Sequence, residues 1–475
     1  MLSRASLLVY AAVAAVVAAS LLAYASPPAR RALLSAHACR LATQRSAAER
    51  AAGDAAAPPL ASLCRSCAFA GTVYACGAAF DAAYYREESS RAGAGALLHE
   101  SDEAAWQHWA REGFARGRRA HGGARTVKVV LMTKDEWPLV RDWVMHHAHL
   151  FGAENLYVID GSSARSRARR FLAGAAARLG VAVFWMPAAS LEETGEAFNA
   201  VLRSLRWSAD FVLKLDTDEF LGLAVPAATA SKGGNGTSLK PGNVAESPQP
   251  ASISVARDEV RAYIDSLPVG GESRLFKYQV AWGIDLMPRL TCPAAGGSAA
   301  RTSVTGPTPR FSAPHRFWKA FVAAHALAEM DLGAHDGVLL EPFASLSAAT
   351  PRYDSQLAAV HFHYPCFSDF AANTLRACRG HGYVREGDSR DEMIAKLEAL
   401  TRRGKEINSW HKVADLLAML RDEPRARAEY EARPPPGVES SATAPFTALG
   451  DLLEQLRREP LWLASGAEEE RGEGE

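Results

Sequence analysis

The run Phe211-Val-Leu-Lys-Leu-Asp216-Thr-Asp218-Glu219-Phe220 constrains this chain more than any other segment. Val212, Leu213 and Leu215 suit a short buried strand, and the run then ends abruptly in three acids. A strand that stops there carries Asp216 and Asp218 at its tip. Carboxylates two residues apart are hard oxygen ligands, able to share a divalent cation that also holds phosphate oxygens. A solvated turn is the plainer reading of such a pair. The strand in front of it and a matching segment upstream favour the functional one.

That upstream segment is Val127–Thr133, a β-branched apolar run ending at Lys134-Asp135-Glu136-Trp137-Pro138. Pro138 fits a first helical turn, where its missing N–H costs little. Val140, Trp143, Val144, His147 and Phe151 follow at helical spacing, and Gly152 can close that helix. Residues 156–160 read as the next strand, stopped by Gly161-Ser162-Ser163; residues 167–179 read as a helix and 181–185 as a third strand. With residues 211–215 this is a β-α-β-α-β-α-β series. Its short connections predict an α/β fold with a mostly parallel sheet flanked by helices.

The 475 residues suffice for one large core and smaller appendages. Fifty-three basic and 53 acidic residues leave no net charge, so nothing steers the chain toward polyanions or nucleic acid. Residues 5–25 are almost wholly apolar, with Arg4 before them and Pro27-Pro28-Ala29-Arg30-Arg31 after. That length matches a bilayer-spanning helix. An uncleaved signal-anchor in residues 1–26 is expected ahead of a cleaved signal ending near Ala23-Tyr24-Ala25, or an organelle leader. The membrane is then a partner, the catalytic domain is lumenal, and Golgi or another secretory-pathway membrane is the expected location. Seven cysteines fit a few staples. Cys64 and Cys67, with Cys76 nearby, read as a local disulfide or unpaired thiols, because no second half of a zinc site follows. Cys366 and Cys378 form a second candidate pair.

Residues 27–79 read as a stem. Residues 80–121 form a small helical unit in which Phe80, Tyr84, Tyr85, Trp106 and Trp109 can cover one another. The main domain spans 125–385, interrupted by Gly/Asn/Ser/Pro-rich residues 228–252, where Asn235-Gly236-Thr237 is a glycosylation acceptor triplet. Residues 386–475 read as a helical extension with a flexible tail.

Several blocks together resemble one group of enzymes. Thr133-Lys134-Asp135-Glu136, Asp142-Trp143 with His147, Phe151-Gly152, Tyr157–Asp160 with Ser162-Ser163, and Leu215–Phe220 are similar to the K-N-E, E-W-x-x-H-H, G, D-N-x-S and D-x-D-E-F blocks of family-2-like and family-92-like glycosyltransferases. Trp282-Gly283, Trp318-Lys319, His335 and His363-Tyr364-Pro365 add shorter matches, so the resemblance covers roughly 127–385. The helical unit also resembles a module found beside such domains, although its acidic residue near Gly117 is missing. Asp135 stands where Asn is usual. Ala323-Ala324 replaces an Arg-Pro, and Asn373 takes roughly the place of a Lys.

The resemblance implies a GT-A-like fold and transfer of a hexose from a nucleotide-sugar, UDP-linked by default, to a glycan hydroxyl with inversion. It implies Mn²⁺ or Mg²⁺ held near Asp216 and Asp218, with His335 and His363 as further ligand candidates. Lys134, Glu136, Asp160, Asp216 and Lys319 are the candidates for contacts to the donor. Asp331 and Asp285 are alternative bases for the acceptor hydroxyl. A catalytically inactive glycan-binding or scaffold protein with a degenerate transferase fold is the alternative reading.

Overall fold

The computed structural model describes residues 67–459 except 71, 75, 92–100, 138, 163–165, 187–190, 227–249, 286–317, 332, 342, 348–352, 362–366, 403–409 and 433–446. Two short strands, β1 (Cys67–Phe69) and β2 (Thr72–Tyr74), pair as a hairpin closed by a Cys67–Cys76 disulfide. This hairpin lies within the segment expected to be a stem, yet Tyr74 packs edge-on against Phe184 and Tyr157 of the main core. Of the second candidate cysteine pair, Cys378 is a buried free thiol and Cys366 lies outside the described residues.

Helices α1 (Ala82–Arg91) and α2 (Asp102–His108), followed by a π-helical turn at Trp109–Gly113, form the small helical unit. Its rings do cover one another. Phe80 meets Tyr85, Trp106 and Trp109, and Trp106 lies edge-on against Trp207 of the main domain. Deleting one such buried ring costs about 3–5 kcal/mol, so the unit is part of the core.

The main domain opens as the periodicity predicts. Strand β3 (Val127–Thr133) leads to α3 (Leu139–Phe151), β4 (Leu156–Asp160), α4 (Arg167–Leu179), β5 (Ala182–Trp185), α5 (Leu191–Leu205) and β6 (Phe211–Leu215). The apolar face of α3 buries Val140, Trp143, Val144 and Leu150. Gly152, at φ +89°, ends the helix in a conformation that a β-carbon would strain. Ser166 caps α4 by accepting the Arg169 N–H at 3.1 Å.

After the acidic turn the chain adds β7 (Glu219–Pro226), β8 (Pro250–Ser254), α6 (Arg257–Ser266), β9 (Lys277–Asp285), β10 (Trp318–Ala323), β11 (Leu327–Met330), β12 (Gly337–Leu339), α7 (Phe343–Ser347) and β13 (Tyr353–His361). Nine strands form one sheet in the order β5-β4-β3-β6-β10-β9-β13-β7-β8. The expectation of a mostly parallel sheet is corrected here. β5, β4, β3 and β6 are parallel, but β10 runs antiparallel to β6 and β9, and β7 runs antiparallel to β13 and β8. The long excursions between β7 and β8 and between β9 and β10 free the second half from the βαβ rule, which applies only to parallel crossovers.

Helices α8 (Phe367–Gly380), α9 (Arg390–Thr401), α10 (Trp410–Arg421) and α11 (Glu423–Ala432) gather around a second apolar cluster that includes Phe367, Phe370, Leu397, Val413 and Leu416. Helix α12 (Thr447–Arg458) returns to the main core through Leu449, Leu453 and Leu456, and its Arg457 pairs with the Asp142 carboxylate.

No helix among the described residues is long and apolar enough to cross a membrane. This corrects the expectation of a signal-anchored, single-pass protein of the Golgi with the membrane as partner. The described chain supplies no spanning helix, and residues 1–26, on which that expectation rested, lie outside the described residues. Asn235 also lies outside them.

Candidate functional site

Register brings the sequence candidates to one edge of the parallel half-sheet. Thr133, the last residue of β3, lies opposite Asp160, the last of β4, and Leu131 lies opposite Leu215 of β6. The carboxylates following these strands therefore share the C-terminal edge, where ligands of open α/β sheets bind.

The turn after β6 is closed reciprocally. The Glu219 N–H donates to Asp216 O at 3.0 Å, and the Asp216 N–H donates to Glu219 Oε2 at 2.8 Å. Two lysines then converge on Asp216. Lys214 donates to Oδ1, and Lys319, on the neighbouring strand β10, donates to Oδ2 at 2.6 Å. Burial works against the Asp216 charge, but the ammoniums of Lys214 and Lys319 overcome it and hold the carboxyl well below the usual range. Lys319 is itself 1% exposed and also donates to the Gly333 carbonyl at 2.9 Å. Burial pulls its pKa down, yet Asp216 and Glu219 raise it.

The Gly333 carbonyl belongs to a loop that carries two more candidates. A β-carbon on Gly333 would meet His335 Cδ2 at 2.5 Å and Asp331 Oδ2 at 3.1 Å. Asp331 Oδ1 accepts the Asp336 N–H at 2.7 Å, so one of its oxygens holds the loop's own turn. Asn199 of α5 fixes the loop's entry, donating to Met330 O at 3.0 Å and accepting the Met330 N–H at 2.9 Å. Asp285 ends β9 in register with His361 of β13. His363 lies outside the described residues.

Glu136 joins the β3 and β6 ends. The hydroxyls of Thr133, at 3.0 Å, and Thr217 both donate to its Oε2, and Arg376 of α8 lies 3.9 Å from Oε1. Burial pushes the Glu136 pKa up, the Thr217 hydrogen bond and Arg376 pull it down, and Asp218 raises it again. Asp218 also acts on Lys412 of α10, whose pKa burial lowers while Asp415 and Asp218 raise it. Arg376 of the C-terminal helical cluster thus reaches the acidic edge, and Lys412 lies within electrostatic range of it. Sequence reasoning missed both. They sit on ordinary amphipathic helices, and only tertiary packing sets them beside Glu136 and Asp218.

Asp160 is fully buried. Its Oδ1 accepts the Ser162 N–H at 3.0 Å, while Oδ2 has no hydrogen-bond partner among the described residues. Burial raises its pKa and the Ser162 contacts oppose the shift. The Ser162 hydroxyl in turn accepts the Asp135 N–H at 2.7 Å. Asp135 has φ +53°, a left-handed conformation that Asp and Asn tolerate best after Gly, so Asp for the usual Asn is a small change. Lys134 is exposed, its aliphatic stem 3.5 Å from where a Gly161 β-carbon would stand.

The donor set does not complete an ion site among the described residues. No three His, Cys, Asp or Glu side chains there are placed to share an ion, and both Asp216 oxygens already take ammoniums.

No protein-family model matches the chain, and no curated protein matches it. Among solved structures, mannosyltransferase PcManGT from Pyrobaculum calidifontis, in complex with GDP-Man and Mn²⁺, aligns at TM-score 0.28 and 16% identity, covering 74% of this chain and 89% of that one. S. aureus TarS aligns at TM-score 0.25 and 12% identity, over 74% of this chain and 56% of its own. TarS 1–349 aligns at TM-score 0.26 and 9% identity, over 73% and 92%. At these scores the likeness carries no inference about this chain.

Proposed function

We propose that this chain is a GT-A-like glycosyltransferase that moves a hexosyl group from a nucleotide-sugar, UDP-linked by default, to a hydroxyl of a glycan. The observation that carries the reading is the strand-end row of Asp160, Glu136, Asp216 and Asp218 facing Arg376 and Lys412. The block resemblance over residues 127–385 supports it.

In this reading the unpartnered, buried Asp160 Oδ2 accepts a donor hydrogen from the base or ribose, since a lone buried acceptor costs free energy until it is met. The acceptor oxygen attacks the anomeric carbon as its bond to the diphosphate breaks, and the acceptor proton passes to a carboxylate. Asp331 and Asp285 remain the two candidates for that base. Asp331 stands on the loop held against Lys319 and Asp216. Negative charge develops on the leaving diphosphate, and Arg376 and Lys412 are the cations placed to offset it. Lys214 and Lys319 fix Asp216 and shape the turn that carries Asp218. Lys134 lies at the rim beside Gly161, where it can meet the nucleotide. Inversion is what the resemblance implies.

A bound Mn²⁺ or Mg²⁺ would supply Lewis-acid stabilisation of the diphosphate. Asp218, His335 and His363 are the candidates to hold it.

The second reading, a catalytically inactive glycan-binding or scaffold protein, is favoured by the two ammoniums on Asp216 and by Ala323-Ala324 and Asn373 at departures from the resembled pattern. Equilibrium titration with nucleotide-sugars and with glycans separates the two. Donor binding that weakens in Asp160→Asn and Arg376→Ala supports transfer. Glycan binding with no donor binding supports the second reading.

A further inference from the structure

A pocket lies at the opposite edge of the sheet from Asp216. It is lined by Arg125, which precedes β3, by Trp207 and Asp210, which precede β6, and by His325, which follows β10. Strand β6 alone separates it from the acidic turn by about 16 Å at roughly 3.3 Å per residue. Arg118 and Arg119 of the helical unit complete its cationic wall.

Four nitrogens on these residues are buried and have no hydrogen-bond partner among the described residues: Arg118 Nη1, Arg119 Nε, Arg125 Nη1 and His325 Nδ1. Arg125 is 8% exposed and His325 5%. Three guanidiniums face a single lining carboxylate, Asp210, and that carboxylate already accepts the Thr126 N–H at 2.7 Å and pairs with His121 at 3.2 Å. A buried lysine can relieve such a cost by losing its proton, whereas a guanidinium stays charged. One water accepts at most two hydrogen bonds, whereas an oxyanion in the pocket can accept from all three guanidiniums. The cavity volume is about 30 Å³, above the roughly 10–15 Å³ that one water requires.

His325 adds a selection rule. Its Nε2 lies 3.3 Å from the Ala110 carbonyl, which can only accept, so Nε2 carries the hydrogen. Burial pushes the ring's pKa down to about 3, so it stays neutral and Nδ1 is an acceptor. Trp207 and Trp109, at ring centroids of 4.3 and 5.0 Å, fix its orientation. An acceptor among guanidiniums calls for an anion that also donates a hydrogen.

We infer that this pocket is a binding site for a small oxyanion bearing a hydroxyl group, the chemistry of hydrogen phosphate. The inference is independent of the transfer reading, since no residue of the acidic edge enters it.

The test is calorimetric titration of the full chain with inorganic phosphate and with sulfate, repeated on the Arg118→Gln/Arg119→Gln double variant. Saturable binding of phosphate is expected. Sulfate, which has no proton to give, binds more weakly. The double variant should lose about tenfold or more in affinity, as removal of charge-assisted hydrogen bonds requires. Its circular dichroism should match the wild type, because both arginines are only half-buried. Arg125→Gln, read in the same way, provides a second variant from a different segment. Absence of saturable binding by the wild type, or equal binding by the folded variants, overturns the proposal. Sulfate binding as tight as phosphate overturns the part assigned to His325.

Discussion

The Lys319 ammonium lies 2.6 Å from Asp216 Oδ2 and 3.2 Å from Glu219 Oε1, so one almost fully buried cation on β10 serves both carboxylates that close the acidic turn. Glu219 is fully buried, which makes Lys319 its necessary counter-charge. Lys319→Met should therefore destabilise the fold by about 3–5 kcal/mol, the usual cost of stranding a buried charge. Adding Glu219→Gln should recover part of that loss. Urea unfolding of the two variants checks this, and a single variant as stable as wild type would show that the pair is not coupled.

Arg376 and Lys412 predict a different behaviour. Both are half-buried in the helical cluster, and Lys412 lies over the Phe370 ring, so Arg376→Ala and Lys412→Ala should lower the thermal midpoint by only about a few degrees. Each should weaken nucleotide-sugar affinity by about tenfold, as loss of a charged phosphate contact implies. Titration of the same donor against all three proteins measures it. Unchanged affinity would return both residues to a purely structural role.

Acid should destabilise the protein early. His146 donates to Leu221 O at 2.8 Å, while His147 donates to Trp143 O at 2.9 Å and accepts the Leu221 N–H at 3.3 Å. Burial pushes His146 down to about 4 and His147 well below its ordinary value, the latter with help from His146. Below pH 6.5 the unfolded chain takes up protons that the folded rings refuse, so stability falls as pH falls. His146 alone accounts for about 3 kcal/mol between pH 6.5 and 4. Thermal midpoints measured from pH 7.5 to 4.5 should drop steadily below 6.5, and a flat profile would contradict the buried neutral pair.

The Cys67–Cys76 bridge closes a short loop, whose removal costs about 2–3 kcal/mol in the chain-entropy model. Reductant should lower the thermal midpoint of the wild type and leave a Cys67→Ser/Cys76→Ser variant unmoved. Equal response of both proteins would assign the effect to another cysteine.

The acidic edge was legible because a strand tip is written locally. Residues 211–219 contain the apolar run, its end and the acids, and residues 127–136 and 156–160 repeat that design. What lies between elements far apart in sequence was not. The antiparallel half of the sheet depends on β10 entering between β6 and β9, a pairing for which no short-range signal exists. Lys214 offered a signal that passed unread, since a lysine flanked by buried apolar residues in a central strand needs an internal partner. Lys319 reads in the sequence as a contact to the donor, and the structure pairs its ammonium with Asp216. The arginines of the remote pocket come from residues 118, 119 and 125 and converge only once the helical unit docks on Trp207.

The most direct test of the central claim is release of nucleotide from a panel of nucleotide-sugars with mixed glycan acceptors. It is run with Mn²⁺ and with EDTA, on the wild type and on Asp218→Asn. One donor should be turned over, and Asp218→Asn, which removes a carboxylate that would hold a cation against the leaving diphosphate, should lower its rate by about a hundredfold or more. A folded wild-type protein that turns over no donor in either condition, or a variant as active as wild type, would contradict it.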